Sequence, residues 1–175
     1  LILSLLLMTL TACTTATKSS RTDVQQSRVA KNAKPYFAFS KFSEGLAATW
    51  QGEETGFMDA SGRVVIKLMY HDARAVSEGM AAVQLNEKWG FIDHKGKYII
   101  NPQFTLVGDF SEGLAPVKKE ERWGYMDKEG KSVINAIFDE AGGFSQGLAP
   151  VKVNGKWGFV AKNGSFKRVM AKKPK

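Results

Sequence analysis

The sequence is poor in the residues from which many reactive sites are built. It has one cysteine and two histidines among 175 residues. A single cysteine excludes an intramolecular disulfide and a cysteine-rich metal cluster. No apolar run reaches the roughly 20 residues that a transmembrane helix requires. The chain is nevertheless 43% hydrophobic, with 17 glycines against five prolines, a composition that suffices for a folded core.

The net charge of +8 lies at the two ends of the chain. Residues 1–35 carry five basic side chains and one acidic one, and residues 167–175 carry five basic side chains. Between them remain 15 basic (25 − 10) and 16 acidic (17 − 1) residues, a net charge of −1. A nucleic-acid-binding domain carries its basic residues on the folded surface. We therefore expect no nucleic-acid partner.

The first 12 residues are uncharged and mostly apolar. They are interpreted as part of a cleaved signal peptide, and we expect the sequence to begin inside a longer precursor. The segment Leu10-Thr11-Ala12-Cys13 resembles the lipobox of bacterial lipoproteins, which implies lipidation of Cys13 and a membrane anchor. Thr14, in place of Asp, implies the outer membrane rather than the inner one. The alternative is an ordinary signal peptide followed by an incidental cysteine.

Residues 13–35 are rich in Thr, Ser, Gln and Lys and hold few large apolar side chains. Such a segment cannot bury enough surface to offset the entropy of ordering, so we predict a disordered tether. Its basic side chains either contact anionic lipid head groups or are simply solvated. Residues 167–175 form a second basic segment, predicted as a tail.

A 34-residue period organises residues 36–166. Tryptophan recurs at Trp89, Trp123 and Trp157, and the glycine that follows it recurs at Gly56, Gly90, Gly124 and Gly158. Tetratricopeptide repeats share this period. The regular glycines would each cost a helix about 1 kcal/mol, and Pro102, Pro116 and Pro150 about 3 kcal/mol each. A helical repeat is therefore excluded.

One unit divides into three short apolar segments separated by turn residues. These are 114–118, 122–127 and 131–138, and Asn154-Gly155 in the next unit is a strong hairpin signal. The sequence thus predicts an all-β fold of tandem 34-residue repeats, each a three-stranded antiparallel meander. Because one such sheet is marginal alone, the four units are expected to stack in an open array with a continuous core.

The segment Lys156-Trp-Gly-Phe-Val, preceded by Phe144-Ser-x-Gly-Leu-Ala-Pro-Val, resembles the bacterial WG repeat family, also called KWG repeats. The resemblance covers the array between tether and tail. It implies an all-β repeat protein, often secreted or in the envelope, with no catalytic activity attached to the repeat. The departures are Thr55 in place of the first Trp, Leu68 and Ala136 in place of the Pro seen at Pro102, and a truncated last unit.

Function is expected where the copies differ. The candidate binding residues are Trp50, His94, Glu120 and Glu121, which lie at positions that vary between units. The recurring Trp are interpreted as core, with a row of half-exposed rings that stack on sugars as the alternative. Asp59, Asp93 and Asp127 are interpreted as turn-forming residues, because a calcium loop needs several oxygen ligands at alternating positions.

These observations predict an envelope lipoprotein whose repeat array is an interaction scaffold for an unidentified protein partner. The alternative is a module that binds carbohydrate or peptidoglycan through the repeat aromatics. No catalytic set of side chains is recognised, so we expect no enzyme activity, no metal and no cofactor.

Overall fold

Short apolar segments separated by turns build four antiparallel sheets over residues 38–170, the part of the chain that the computed structural model describes. The predicted signal peptide, Cys13 and the whole predicted tether lie outside these residues. Within residues 38–170 no helix is long and apolar enough to cross a bilayer. The predicted all-β repeat fold is confirmed.

Each sheet contains four consecutive strands in chain order. The first sheet comprises β1 (Ala38–Phe39), β2 (Leu46–Gln51), β3 (Glu54–Asp59) and β4 (Val64–Tyr70). The second comprises β5 (Asp72–Ala73), β6 (Met80–Leu85), β7 (Lys88–Asp93) and β8 (Tyr98–Phe104). The third comprises β9 (Leu106–Val107), β10 (Ala115–Lys119), β11 (Arg122–Met126) and β12 (Ser132–Phe138). The fourth comprises β13 (Glu140–Ala141), β14 (Leu148–Val153), β15 (Lys156–Ala161) and β16 (Phe166–Met170).

The last three strands of each sheet form the meander that the sequence predicts. Asn154 and Gly155 both have positive φ, 49° and 77°, as a tight hairpin turn requires. The structure adds a two-residue strand at one edge of every sheet. In the fourth sheet, Glu140 of this strand pairs with Lys152 and Ala141 with Val151.

The glycine that follows each Trp allows two strands to approach closely. A Cβ built on Gly90 would lie 2.5 Å from the backbone oxygen of Ile100 and 2.7 Å from the nitrogen of Pro102. The pairing of β7 with β8 shifts register at this point, between Trp89 and Phe91. The glycine therefore accommodates the neighbouring backbone.

Apolar side chains fill the space between consecutive sheets. Between the first and second sheets, Phe57 and Tyr70 pack with Val83 and Ile92 in one buried cluster. Similar clusters join the second sheet to the third and the third to the fourth. Each sheet is thus the packing partner of the next, and each junction has its own buried cluster, whereas the sequence predicts one continuous core.

The last strand extends further than the predicted end of the array. Lys167 and Arg168 were assigned to the basic tail, but β16 continues through both to Met170. Gly158 pairs with Val169, and Trp157 with Met170. Backbone groups make these ladder bonds, so a polar sequence does not prevent a strand at the edge of a sheet.

Candidate functional site

A Ser-Glu-Gly turn in each of the first three sheets reaches into the following sheet. Ser77 Oγ donates a hydrogen bond of 2.7 Å to the backbone oxygen of Phe110, 33 residues further on. Ser43 and Ser111 make the equivalent bonds, also of 2.7 Å. A serine hydroxyl therefore links each sheet to the next at the same position of the repeat.

The glutamate of the same turn adds a second link. Glu78 Oε2 accepts a hydrogen bond of 3.0 Å from the backbone N–H of Gly113, and it lies 3.2 Å from Lys128 Nζ. The equivalent pairs are Glu44 with Gly79 and His94, and Glu112 with Gly147 and Lys162. We call each set of serine, glutamate, glycine and base a connector.

His94, predicted as a binding residue, belongs to the first connector. Its Nε2 lies 3.6 Å from Glu44 Oε2, and the equivalent positions in the next two sheets hold Lys128 and Lys162. Among the described residues, no group of three His, Cys, Asp or Glu side chains could hold a metal ion. In this geometry His94 joins two repeats.

The first and fourth sheets each lack one charged residue of the connector. Gln146 takes the position of the glutamates and has φ of 53°, close to the 52° of Glu78 and the 54° of Glu112. Ala60 takes the position of His94, Lys128 and Lys162 in the first sheet. The first sheet thus lacks the basic member and the fourth sheet lacks the acidic one, so charged connectors are confined to internal junctions.

The connector carboxylates should make stability depend on acid pH. Burial raises the pKa of Glu78, but hydrogen bonds from Lys128 and Gly113 outweigh it and hold the pKa below the ordinary 4.5. The hydrogen bond from Lys162 similarly lowers the pKa of Glu112. The unfolded chain then takes up more protons than the folded chain as pH falls, so this stability is complete above about pH 4.5 and lost below it.

We expect the melting temperature of the parent protein to fall between pH 5 and pH 3 more steeply than that of the double variant Glu78→Gln/Glu112→Gln. Thermal denaturation followed by circular dichroism at a series of pH values measures this difference. Glu87→Gln, in an exposed hairpin turn, removes a charge without touching a connector and is the control. Superimposable profiles for the parent and the double variant would contradict the role of the connectors.

The tryptophans fall into two groups by exposure. Trp89 and Trp157 are 7% and 8% exposed, and Trp123 is half-buried, so the core interpretation of the recurring Trp agrees with their surroundings. Trp50 is 39% exposed. It lies on β2 directly opposite Thr55, which holds the position of the recurring Trp.

Thr55 and Trp50 border a groove between the first and second sheets. The groove has a volume of about 290 Å³. Its polar lining includes Glu53 from the hairpin turn of the first sheet, and His71 and Asp72 from the start of the second. Sequence reasoning identified Trp50 but not its neighbours across the junction. The replacement of Lys-Trp by Glu54-Thr55 in the first unit was the signal that marked this place.

The remaining predicted site residues do not share a surface feature with Trp50. Glu120 has φ of 55° and forms the turn between β10 and β11. Glu121 lies beside it with its side chain 3.4 Å from Lys118 Nζ, and is almost fully exposed. The structure places both in a solvent-exposed hairpin turn. Cys13 lies outside the described residues, and its lipidation stays a prediction.

The recurring aspartates act in turns. Asp93 Oδ1 accepts hydrogen bonds from the backbone N–H groups of Lys95 and Lys97, at 2.8 and 2.9 Å. These bonds lower the pKa of Asp93, the largest contribution coming from Lys97. Asp59 and Asp127 bond equivalent turns. Turn formation therefore accounts for the recurrence of aspartate.

Comparisons with known proteins agree with this architecture. The sequence matches the family model described as WG containing repeat at residues 56–89, 89–123 and 123–157. No curated protein gives a significant match. Among solved structures, Kluyveromyces lactis Hsv2 with a complete loop 6CD has a TM-score of 0.54 at 13% identity, over 73% of this chain and 47% of that one.

A second Hsv2 structure, with loop 6CD replaced by a Gly-Ser linker, has a TM-score of 0.51 at 10% identity, over 75% of this chain and 50% of that one. The chain thus spans about half the length of the Hsv2 chains, and the likeness concerns the fold alone. A plant lectin with two metal binding sites from Cicer arietinum has a TM-score of 0.33 at 12% identity, over 76% of this chain and 89% of that one. A score this low supports no inference.

Proposed function

The chain belongs to the WG-repeat family, and on this basis we propose that it is a lipid-anchored scaffold of the bacterial cell envelope that binds a protein partner. The proposed role is binding rather than catalysis. The observation that carries it is a regular set of exposed aliphatic side chains along the array. A repeat array presents the same kind of position many times, which suits recognition of an extended partner.

Exposed aliphatic side chains recur on the last strand of three successive sheets. We call them the aliphatic row: Val65, Met69, Ile99, Val133 and Ile137. Val65, Ile99 and Val133 are related by the repeat period, and so are Met69 and Ile137. Each is about 40% exposed or more. Single exposed aliphatic residues are ordinary, whereas their recurrence at equivalent positions of an array is characteristic of an interaction surface.

Photo-crosslinking in intact cells tests the aliphatic row. With the photoreactive residue p-benzoylphenylalanine at Ile99 or at Val133, we expect a discrete adduct of defined mass for each position. Glu87, exposed in the hairpin turn between β6 and β7, is the control position and should give much less of that adduct. Equal adducts at all three positions, or none in the row, would argue against the row as the binding surface.

The envelope location is proposed from the N-terminal sequence. Transfer of a diacylglyceryl group to the Cys13 sulfur and cleavage before Cys13 would leave a residue that carries several acyl chains, enough for stable attachment where one chain is marginal. The tether over residues 13–35 would then hold the array on the order of 25 Å from the bilayer, from the mean reach of a flexible chain. By the resemblance to lipoprotein sorting, Thr14 favours the outer membrane.

A second candidate function is carbohydrate or peptidoglycan binding. The exposed ring of Trp50 beside a groove favours it, because an exposed indole can stack on a sugar face. A row of stacking rings is not favoured, since Trp89 and Trp157 are buried. A glycan would therefore depend on this groove alone.

A further inference from the structure

The groove beside Trp50 differs in chemistry from the equivalent place at the other junctions. At the junction of the third and fourth sheets, Asp139 forms an ion pair with Arg122 of the preceding sheet. At the first junction, Glu54 of the first sheet takes the position that Arg122 has at the later one. His71 of the second sheet takes the position of Asp139. The cation that neutralises the later junction is thus replaced by an acid at the first one.

In the fourth sheet, a lysine side chain of the protein itself lies next to the recurring tryptophan. Lys152 Nζ lies 5.7 Å from the ring centroid of Trp157 and 2.8 Å from Glu140 Oε1. Lys152 and Trp157 are directly opposite each other on neighbouring strands. The chain therefore holds an ammonium group between an indole and a carboxylate, an arrangement stabilised by cation–π attraction and an ion pair.

In the first sheet the same pair of positions holds Trp50 and Thr55. Trp50 thus takes the position of Lys152, and Thr55 takes the position of Trp157. None of the residues that line the groove is a lysine or an arginine. The carboxylates of Glu53 and Asp72 are exposed there. Within residues 38–165 neither forms an ion pair, and Asp72 Oδ1 accepts only the backbone N–H of Ala73. The groove thus has an aromatic wall and unneutralised acids.

The hydroxyl of Thr55 is a further unused group. Thr55 is only 7% exposed, yet its side chain lines the groove and makes no hydrogen bond to another described residue. Thr55 Oγ1 is therefore an acceptor, free of other described residues, that the groove can offer to a donor from a ligand.

We propose that this groove binds a cationic side chain, lysine or arginine, of the partner protein. The cation lies against the indole of Trp50 between the carboxylates of Glu53 and Asp72 and donates to Thr55 Oγ1. The inference deepens the proposed function and rests on it for the identity of the partner as a protein. The internal arrangement of Lys152 with Trp157 and Glu140 favours a cation over a neutral sugar, because there the chain itself holds a cation with an indole and a carboxylate.

Fluorine NMR of the full chain, labelled with 5-fluorotryptophan and held in detergent micelles, tests the groove directly. The four tryptophans give four resonances, and Trp50→Phe identifies the one from Trp50. The probe is the peptide acetyl-Gly-Arg-Gly-Arg-Gly-amide. Its neutral counterpart carries citrulline in place of arginine, and chitotetraose is the glycan probe. We expect the cationic peptide alone to shift the Trp50 resonance, with a weaker effect at high salt.

The double variant Glu53→Gln/Asp72→Asn should bind the cationic peptide about three- to ten-fold more weakly, as partly exposed ion pairs and a cation–π contact allow. Glu87→Gln/Glu129→Gln removes two charges from exposed turns of the next two sheets and should leave the affinity unchanged. The other tryptophan resonances report whether each variant is folded.

Three results would overturn the inference. They are an equal shift with the citrulline peptide, a shift with chitotetraose but not with the cationic peptide, and no shift of Trp50 with any probe. The second would make the groove a glycan site. All three are separable from failure of the proposed function, because the crosslinks at Ile99 and Val133 report on partner binding independently of Trp50.

Discussion

Replacing Cys13 by Ser is expected to move the protein from the membrane fraction of cells to the soluble fraction. The thiol is the atom that would carry the lipid, and serine offers no equivalent nucleophile for that transfer. With several acyl chains attached, release without their removal is negligible, at about 0.8 kcal/mol for each buried methylene group. The expected change is thus nearly all-or-none. Fractionation with immunoblotting, together with metabolic labelling by an alkyne fatty acid, measures it.

Thr14→Ser is the matched control for Cys13→Ser. It changes the adjacent residue, retains a hydroxyl side chain and leaves the thiol in place, so label and membrane association should persist. If Cys13→Ser remained in the membrane fraction after a carbonate wash, Cys13 would not be the anchor. Loss of label with retained membrane association would show that other contacts, such as the basic tether, suffice.

Gly90→Ala is expected to lower the free energy of unfolding by about 3 kcal/mol or more, the range of severe steric changes in a packed site. Its Cβ would lie 2.5 Å from the backbone oxygen of Ile100 and 2.9 Å from the carbonyl carbon of Asn101. Backbone atoms cannot rotate away as a flexible side chain can, so β7 and β8 would have to separate. Urea denaturation followed by circular dichroism measures the loss.

Gly143→Ala is the control for this substitution. The nearest atom to its added Cβ is 4.0 Å away, and Gly143 does not have a positive φ. The change should be neutral or stabilising by about 0.4–1 kcal/mol, because alanine reduces the entropy of the unfolded chain. Equal destabilisation by both variants would show that loss of glycine flexibility, rather than the close approach of two strands, explains the requirement at Gly90.

The sequence predicted the meander because its signals are local and repeated. Glycine and asparagine at fixed places mark the turns, and apolar segments such as 131–138 lie between them. The two-residue strands at the sheet edges could not be predicted. Asp72 and Ala73 carry no alternating pattern, and their pairing with Gln84 and Val83 is fixed by the path of the chain after the preceding sheet.

The candidate site was predictable only in part, for a related reason. Trp50 could be identified as a candidate from the sequence alone, because it lies outside the repeat register. His71 and Asp72 join it only through the packing of one sheet on the next. The role of Glu78 was hidden in the same way, since its partners Gly113 and Lys128 lie in the following unit. Contacts between repeats can be recognised only once the packing of one sheet on the next is known.

Ala60 and Gln146 distinguish the first and fourth sheets from the two sheets between them. If the fourth sheet of one copy met the first sheet of another in the usual way, Gln146 would face Ala60, and the ion pair of an internal junction would be missing. Such a contact between copies would lack an ion pair that contributes about 0–1 kcal/mol at a partly exposed site. A unit duplicated within the gene, by contrast, would bring both members of the charged pair with it. Lengthening by internal duplication would thus keep the charged pair at each new junction.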